Sequence, residues 1–194
     1  MNEPRVKHVT DLAGLRALGH PVRLRLLGLL RIHGPATATA LGQTVGAAPN
    51  AVSYHLRQLA KAGFIEPAEG SGGDRREHAW RASHDVTSWE DTSFGGSTES
   101  HVALDALRRR VFDVYNEAIE GYLRSEADLP EPWRQAAGFG DLVFRATPDD
   151  LRAARDEVEV VVERYRQRAA DLADEPGTEM VMVIWQAFPR PAGR

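Results

Sequence analysis

Between Gly19 and Gly63 the chain is cut into short helical segments by residues that stop helices, and these cuts define a cluster of small helices joined by tight turns. "GHP" at residues 19–21 breaks an opening helix that Thr10 can cap and that runs through Leu18. Pro21 then suits the first turn of "PVRLRLLGLLRIHG", which Gly34 ends. "TATALGQTVG" follows and is closed by Gly46; "AAPN" is a tight turn leading into "NAVSYHLRQLAKAGFIE". In the second segment Val22, Leu26, Leu29 and Leu30 share one face while Leu24 and Leu27 lie on another. A helix apolar on two sides needs cover on both, so it sits centrally in its domain.

The last of these helices carries two patterns at once. At 100° per residue Val52, Leu56, Leu59 and Ala60 group on one side, whereas Tyr54, Lys61, Asn50, Arg57 and Gln58 fall between about 140° and 240° from Val52. That outer face holds no acidic and no aliphatic residue. It suits a DNA major groove, where donors and acceptors meet base edges and cations meet phosphates. An isolated helix with a solvated face would look the same; the neighbours distinguish the two. A short helix, a tight turn and a second helix with a polar outer face make a helix-turn-helix. After Gly63, residues 64–68 and 78–82 read as strands around a "GSGGD" tip with Arg75 and Arg76 beside it, which is a wing. His55, at about 300°, borders the buried side and reads as a packing residue.

"LRALGHPVRLRLLGLL", "ATALGQTVGAAPNAVSYHLRQLAKAGFIE" and "GDRREHAWRA", in that order and spacing, resemble the ArsR-type family of winged-helix repressors over residues 10–82. The resemblance implies a homodimeric transcription factor binding double-stranded DNA, with residues 50–61 in the major groove and the wings on flanking backbone. Carried over to this chain, Asn50, Ser53, Tyr54, Arg57, Gln58 and Lys61 are the candidates for base or phosphate contact. Thr37 and Thr39 offer hydroxyls and backbone N–H groups to phosphate. Arg75 and Arg76 are wing candidates for phosphate or minor-groove contact. Arg23 and Arg25 flank the core helix and either touch the DNA backbone or snorkel.

The charge distribution agrees. Residues 1–82 hold 11 Lys+Arg against 6 Asp+Glu, and the remainder 13 against 22, so only the first part is suited to a polyanion. A length of 194 residues with 42% hydrophobic side chains supplies a core. There is no long apolar run, and "MNEPRVKHVTDLAG" lacks the apolar stretch of a signal peptide, so a soluble cytoplasmic protein with no membrane partner is expected. Without cysteine there is neither a disulfide nor the thiolate site that one class of the family's metal sensors places in the segment matching "TATALGQTVG". His101 and Asp105 make one pair at helical spacing, with no histidine after them, and one pair does not build a metal site. No metal and no cofactor is expected. No Gly-rich phosphate loop, HExxH or nucleophile elbow is present, and the chain reads as a non-enzyme.

Beyond the wing, residues 83–98 read as a polar connector. A long helix is expected over residues 99–127. Its stripe of Leu104, Leu107, Val111, Val114 and Ala118, widened by Tyr115, Ile119 and Tyr122, calls for a partner helix and makes it the expected homodimer contact. "LPEPW" breaks it. "DLVFRA" at 141–146 reads as a strand, and "TPDD" opens a further helix to about Leu172, with Thr147 as cap. "EMVMVIWQAF" at 179–188 is nearly continuously apolar and reads as a strand buried on both faces. The expected fold class is therefore α+β and mainly helical. It comprises a winged helix-turn-helix at 10–82, a connector at 83–98, and within 99–194 a long dimerisation helix and a small α+β unit. Trp89, Phe112, Tyr115, Trp133, Phe139 and Trp185 are candidates either for a pocket holding an unidentified small-molecule effector or for core. The chain reads as a sequence-specific DNA-binding regulator, a homodimeric repressor on a near-palindromic operator. Its rivals are a winged-helix protein–protein interaction module without DNA binding, and a small-molecule-binding protein with a secondary DNA-binding domain.

Overall fold

The computed structural model describes residues 5–68, 78–89, 94, 96–169, 172 and 175–190. Its elements run β1 (Val6–Val9), α1 (Leu12–Leu18), α2 (Pro21–Ile32), β2 (Ala36–Thr37), α3 (Ala38–Val45), α4 (Pro49–Lys61), β3 (Ile65–Pro67), β4 (Ala79–Ala82), β5 (Val86–Trp89), α5 (Thr98–Ser125), a 3-10 turn (Glu126–Asp128), α6 (Glu131–Ala136) and α7 (Pro148–Ala169). The fold is α+β and mainly helical. It divides into two compact units, one reaching to Arg124 and the other beginning at Ser125.

In the first unit, Leu15 and Leu18 of α1, Leu26, Leu27 and Leu30 of α2, Leu41 of α3 and Val52, Leu56 and Leu59 of α4 form one core with Phe64 and Ile65. Leu104 and Leu107 of α5 complete it. Each such side chain, fully buried, contributes about 1.5–3 kcal/mol. Helix α2 is covered on two sides, because Val22, Leu24 and Leu29 are also packed against this core. Asp11, one residue past the expected Thr10, caps α1: its carboxylate accepts from the Gly14 N–H at 2.7 Å. At the other end of α1, Arg23 donates through Nε to the Ala17 carbonyl and through Nη2 to that of Arg16, both at 2.5 Å. Arg23 thus caps the C-terminal end of α1.

Strands β2, β4 and β3 form an antiparallel sheet in that order, with Ile65 opposite Ala82, Glu66 opposite Arg81 and Pro67 opposite Trp80. This is the wing hairpin read from the sequence; its tip lies outside the described residues. A second, parallel pair joins β1 to β5, with Val6 opposite Val86 and Val9 opposite Trp89. The stretch expected to be only a connector therefore contains a strand. Val86, Thr87 and Trp89 favour a pleated, half-buried surface, and the Arg31 guanidinium of α2 fixes that strand by donating to the His84 carbonyl at 3.1 Å and to Thr87 Oγ1 at 2.7 Å.

The second unit holds α6, α7 and two segments, 137–147 and 178–190, without assigned secondary structure. Thr147 and Asp150 cap α7 reciprocally: the Asp150 N–H donates to Thr147 Oγ1 at 3.1 Å, and the Thr147 N–H to Asp150 Oδ2 at 2.9 Å. The expected strands at 141–146 and 179–188 are not strands. Among the described residues neither segment has assigned secondary structure or forms a backbone ladder. The second is not buried on both faces either: Met180 is 74% exposed and Val183 61%. A strand needs a partner, and neither segment has one among the described residues. Helix α6, which follows the Pro130 break, was not expected. No described residue beyond Arg124 is fully buried. Among the described residues no helix is long and apolar enough to cross a membrane.

Candidate nucleic-acid interface

Helices α3 and α4 are held by a turn with little room for variation. Thr37 caps α3, its hydroxyl oxygen accepting from the Ala40 N–H at 3.2 Å. Gly46 ends α3 in the left-handed region at φ 68°, where a glycine avoids the penalty that other residues meet. The Ala47 N–H then returns to the Gly42 carbonyl at 3.0 Å, so tightly that a Cβ on Gly42 would stand 2.7 Å from the Ala47 carbonyl oxygen. Helix α4 starts at Pro49 without a side-chain cap and without an acidic residue in its first turn. Its N-terminus therefore keeps the partial positive charge that favours an anion.

Exposure along α4 follows the phase read from the sequence. Val52, Leu56 and Leu59 are wholly buried, while Asn50, Tyr54, Arg57 and Lys61 are exposed and Ser53 and Gln58 half-buried. Arg57 lies along its own helix, Nε donating to the Ser53 carbonyl at 3.2 Å. The residues expected to meet DNA on this helix thus share one solvent-facing side. Thr37 and Thr39 lie at the start of α3, where Thr37 is committed to capping and Thr39 is exposed. Arg25 is exposed on α2. In the wing, Arg81 is paired with Glu66 across β3 and β4 at 2.8 Å. Arg75 and Arg76 lie outside the described residues.

His55 sits at the seam between the polar face and the core, its ring tilted 41° against that of His20 with centroids 4.5 Å apart. Neither Nδ1 has a hydrogen-bond partner. Burial, then Arg23, His55 and Arg110, hold the His20 imidazole below its ordinary range; burial and then Arg23 do the same for His55. Helical periodicity gave the position of His55 but not its partner, since nothing in sequence links an α2 cap residue to the middle of α4.

The six aromatic candidates do not form one group. Trp89 packs against the core of the first unit, and Phe112 and Tyr115 lie on α5 in that same unit, Phe112 exposed and Tyr115 half-buried. Trp133, Phe139 and Trp185 belong to the second unit, where the Arg155 guanidinium lies 5.8 Å from the Trp185 ring centre. Two shallow clefts occur in the first unit, one along Lys7, Asp11 and Lys61 and the other between Pro21, Arg25 and Arg110. None of the six aromatics lines either.

Among curated proteins no relative matches this chain. Among solved structures, the chain is similar to NMB1585, a MarR family regulator from Neisseria meningitidis, at 14% identity over 78% of this chain and 79% of that one, with a TM-score of 0.33. It is also similar to the MarR family transcription regulator SP03579, at 20% identity over 84% and 80%, with a TM-score of 0.31. A third is a mutant of Lactococcus lactis ZitR, at 10% identity over 75% and 73%, with a TM-score of 0.29. Scores of this size do not establish a shared fold. Residues 18–68, which span α2, the α3–α4 pair and β3, match the family model described as a helix-turn-helix domain, the reading unit of DNA-binding transcriptional regulators.

Proposed function

We propose that the protein is a homodimeric winged helix-turn-helix repressor of ArsR type, acting in the cytoplasm on a near-palindromic operator. The observation that carries this reading is the outer side of α4: Asn50, Tyr54, Arg57 and Lys61 are exposed together, with no carboxylate among them, on a helix whose N-terminus is uncapped. Such a face meets a duplex with donors for base edges and cations for phosphates. Ser53 and Gln58 border it; Thr37 and Thr39 lie at the head of α3 for phosphate contact, and Arg75 and Arg76 serve the wing. The dimer, formed through α5, sets two reading helices about one DNA turn apart, so that two half-sites are engaged together.

Selection of binding sites from random duplex DNA with the purified chain tests this. The expected result is an enriched inverted repeat with half-sites about 10 base pairs apart and an affinity that falls steeply with salt. Recovery of no common sequence, with binding indifferent to salt, would identify an interaction module that does not read DNA.

A further inference from the structure

We infer that residues 141–146 of two copies of this chain pair antiparallel about a two-fold axis at Val143, and that the second unit is completed only in that dimer. Leu142, Val143 and Phe144 are 80%, 69% and 60% exposed, and Met180, Val181, Met182, Val183 and Phe188 are between 53% and 74% exposed. Among the described residues no backbone hydrogen bond ties either segment to another. Backbone with open hydrogen-bonding groups, flanked by exposed Leu142, Val143 and Phe144, is a template for strand addition.

The sequence of the first segment says which strand fits it. About a two-fold axis at Val143, "DLVFRA" sets Asp141 opposite the partner's Arg145, Arg145 opposite the partner's Asp141, and Leu142 opposite the partner's Phe144. Opposite charges therefore meet twice, and among the described residues neither Asp141 nor Arg145 has an ion pair within its own chain. Alternation puts both ion pairs on the Val143 face and all four Leu142 and Phe144 side chains on the other. Residues 179–188 have no such symmetry, and they already lean on α7 through Trp185 and Arg155. A second copy is thus the occupant that satisfies charge, register and backbone together. This pairing lies in a segment separate from α5 and does not depend on DNA binding.

The chain has no cysteine, so a single introduced thiol reports on the pairing without background. Val143 on one strand would face Val143 on the other with Cα atoms about 4.5–5.5 Å apart, within the disulfide range. Val143→Cys is expected to cross-link two full-length chains under mild oxidation. Val160→Cys on α7, equally exposed at 69%, is expected not to. In sedimentation, Asp141→Arg alone should raise the dimer dissociation constant about tenfold through two like-charge pairs, and adding Arg145→Asp should restore it. Cross-linking no faster at Val143→Cys than at Val160→Cys would overturn the inference. So would an intramolecular bond in a chain carrying both Val143→Cys and Val183→Cys, or a double charge swap no better than either single change. Operator binding enters none of these readouts, so they stand or fall apart from the DNA-binding reading.

Discussion

His55 of α4 and His20 at the start of α2 lie with ring centroids 4.5 Å apart, and both Nδ1 atoms are buried without a partner. Helix α4 is therefore seated against its neighbour through two neutral imidazoles, with Arg23 beside both. Both pKa values are lowered by folding, so the unfolded chain binds these protons more readily. Stability is then fully present above about pH 6.5, the ordinary imidazole value, and is lost as pH falls below it towards the folded-state values. Urea midpoints should fall between about pH 7.5 and 5.5, and His20→Phe should flatten that dependence in part. His84, lowered by burial and then by Lys7, Arg5 and Arg31, accounts for a remainder. An unchanged slope in His20→Phe would show that the histidine pair does not carry the effect.

Arg57→Ala should weaken operator binding by about 1–3 kcal/mol and relax preference at one position of each half-site. Replacing Arg75 and Arg76 together should instead weaken binding to all sequences alike and reduce the slope of affinity against salt. Titrating operator and random duplex at several salt concentrations separates the two outcomes.

Gly42→Ala places a methyl 2.7 Å from the Ala47 carbonyl oxygen, so the turn joining α3 to α4 has to open. The expected cost is about 1–3 kcal/mol of stability, as for overpacking elsewhere, seen as a lowered thermal midpoint. Gly28→Ala, where a Cβ meets nothing within 4 Å, is the matched control and should be neutral or slightly stabilising.

Leu107→Ala should cost about 2–5 kcal/mol, because this α5 side chain is wholly buried in the core of the first unit. Val102→Ala, on the same helix but 64% exposed, should change stability by no more than about 0.5 kcal/mol. Denaturant unfolding of the two variants tests whether α5 belongs energetically to the helix-turn-helix.

What could be read in the sequence was what local chemistry decides. Pro21, Gly46 and the Thr147–Asp150 pair act within one helical turn, so helix ends were legible to a residue or two. The phase of α4 followed from Val52, Leu56 and Leu59 alone, since burial of one stripe fixes the opposite one. Strands depend on distant partners, and that is where the reading failed. Val6–Val9 and Val86–Trp89 are short and partly polar, and only their pairing makes them strands. Residues 141–146 and 179–188 have the stronger apolar signal yet form no ladder among the described residues. Composition groups Trp89 with the later aromatics, although β5 packs it on the first core.

Leu107 is the last α5 side chain wholly inside the core, and the helix continues to Ser125, about 27 Å further on. A rod held deepest near one end is a lever. A sideways displacement of about 4 Å at its tip turns the gripped body by roughly 10°, and α4 turns with it, because the core that holds Leu107 also holds Leu56 and Leu59. The orientation of α4 is thus coupled, through the core, to whatever fixes the tip of α5.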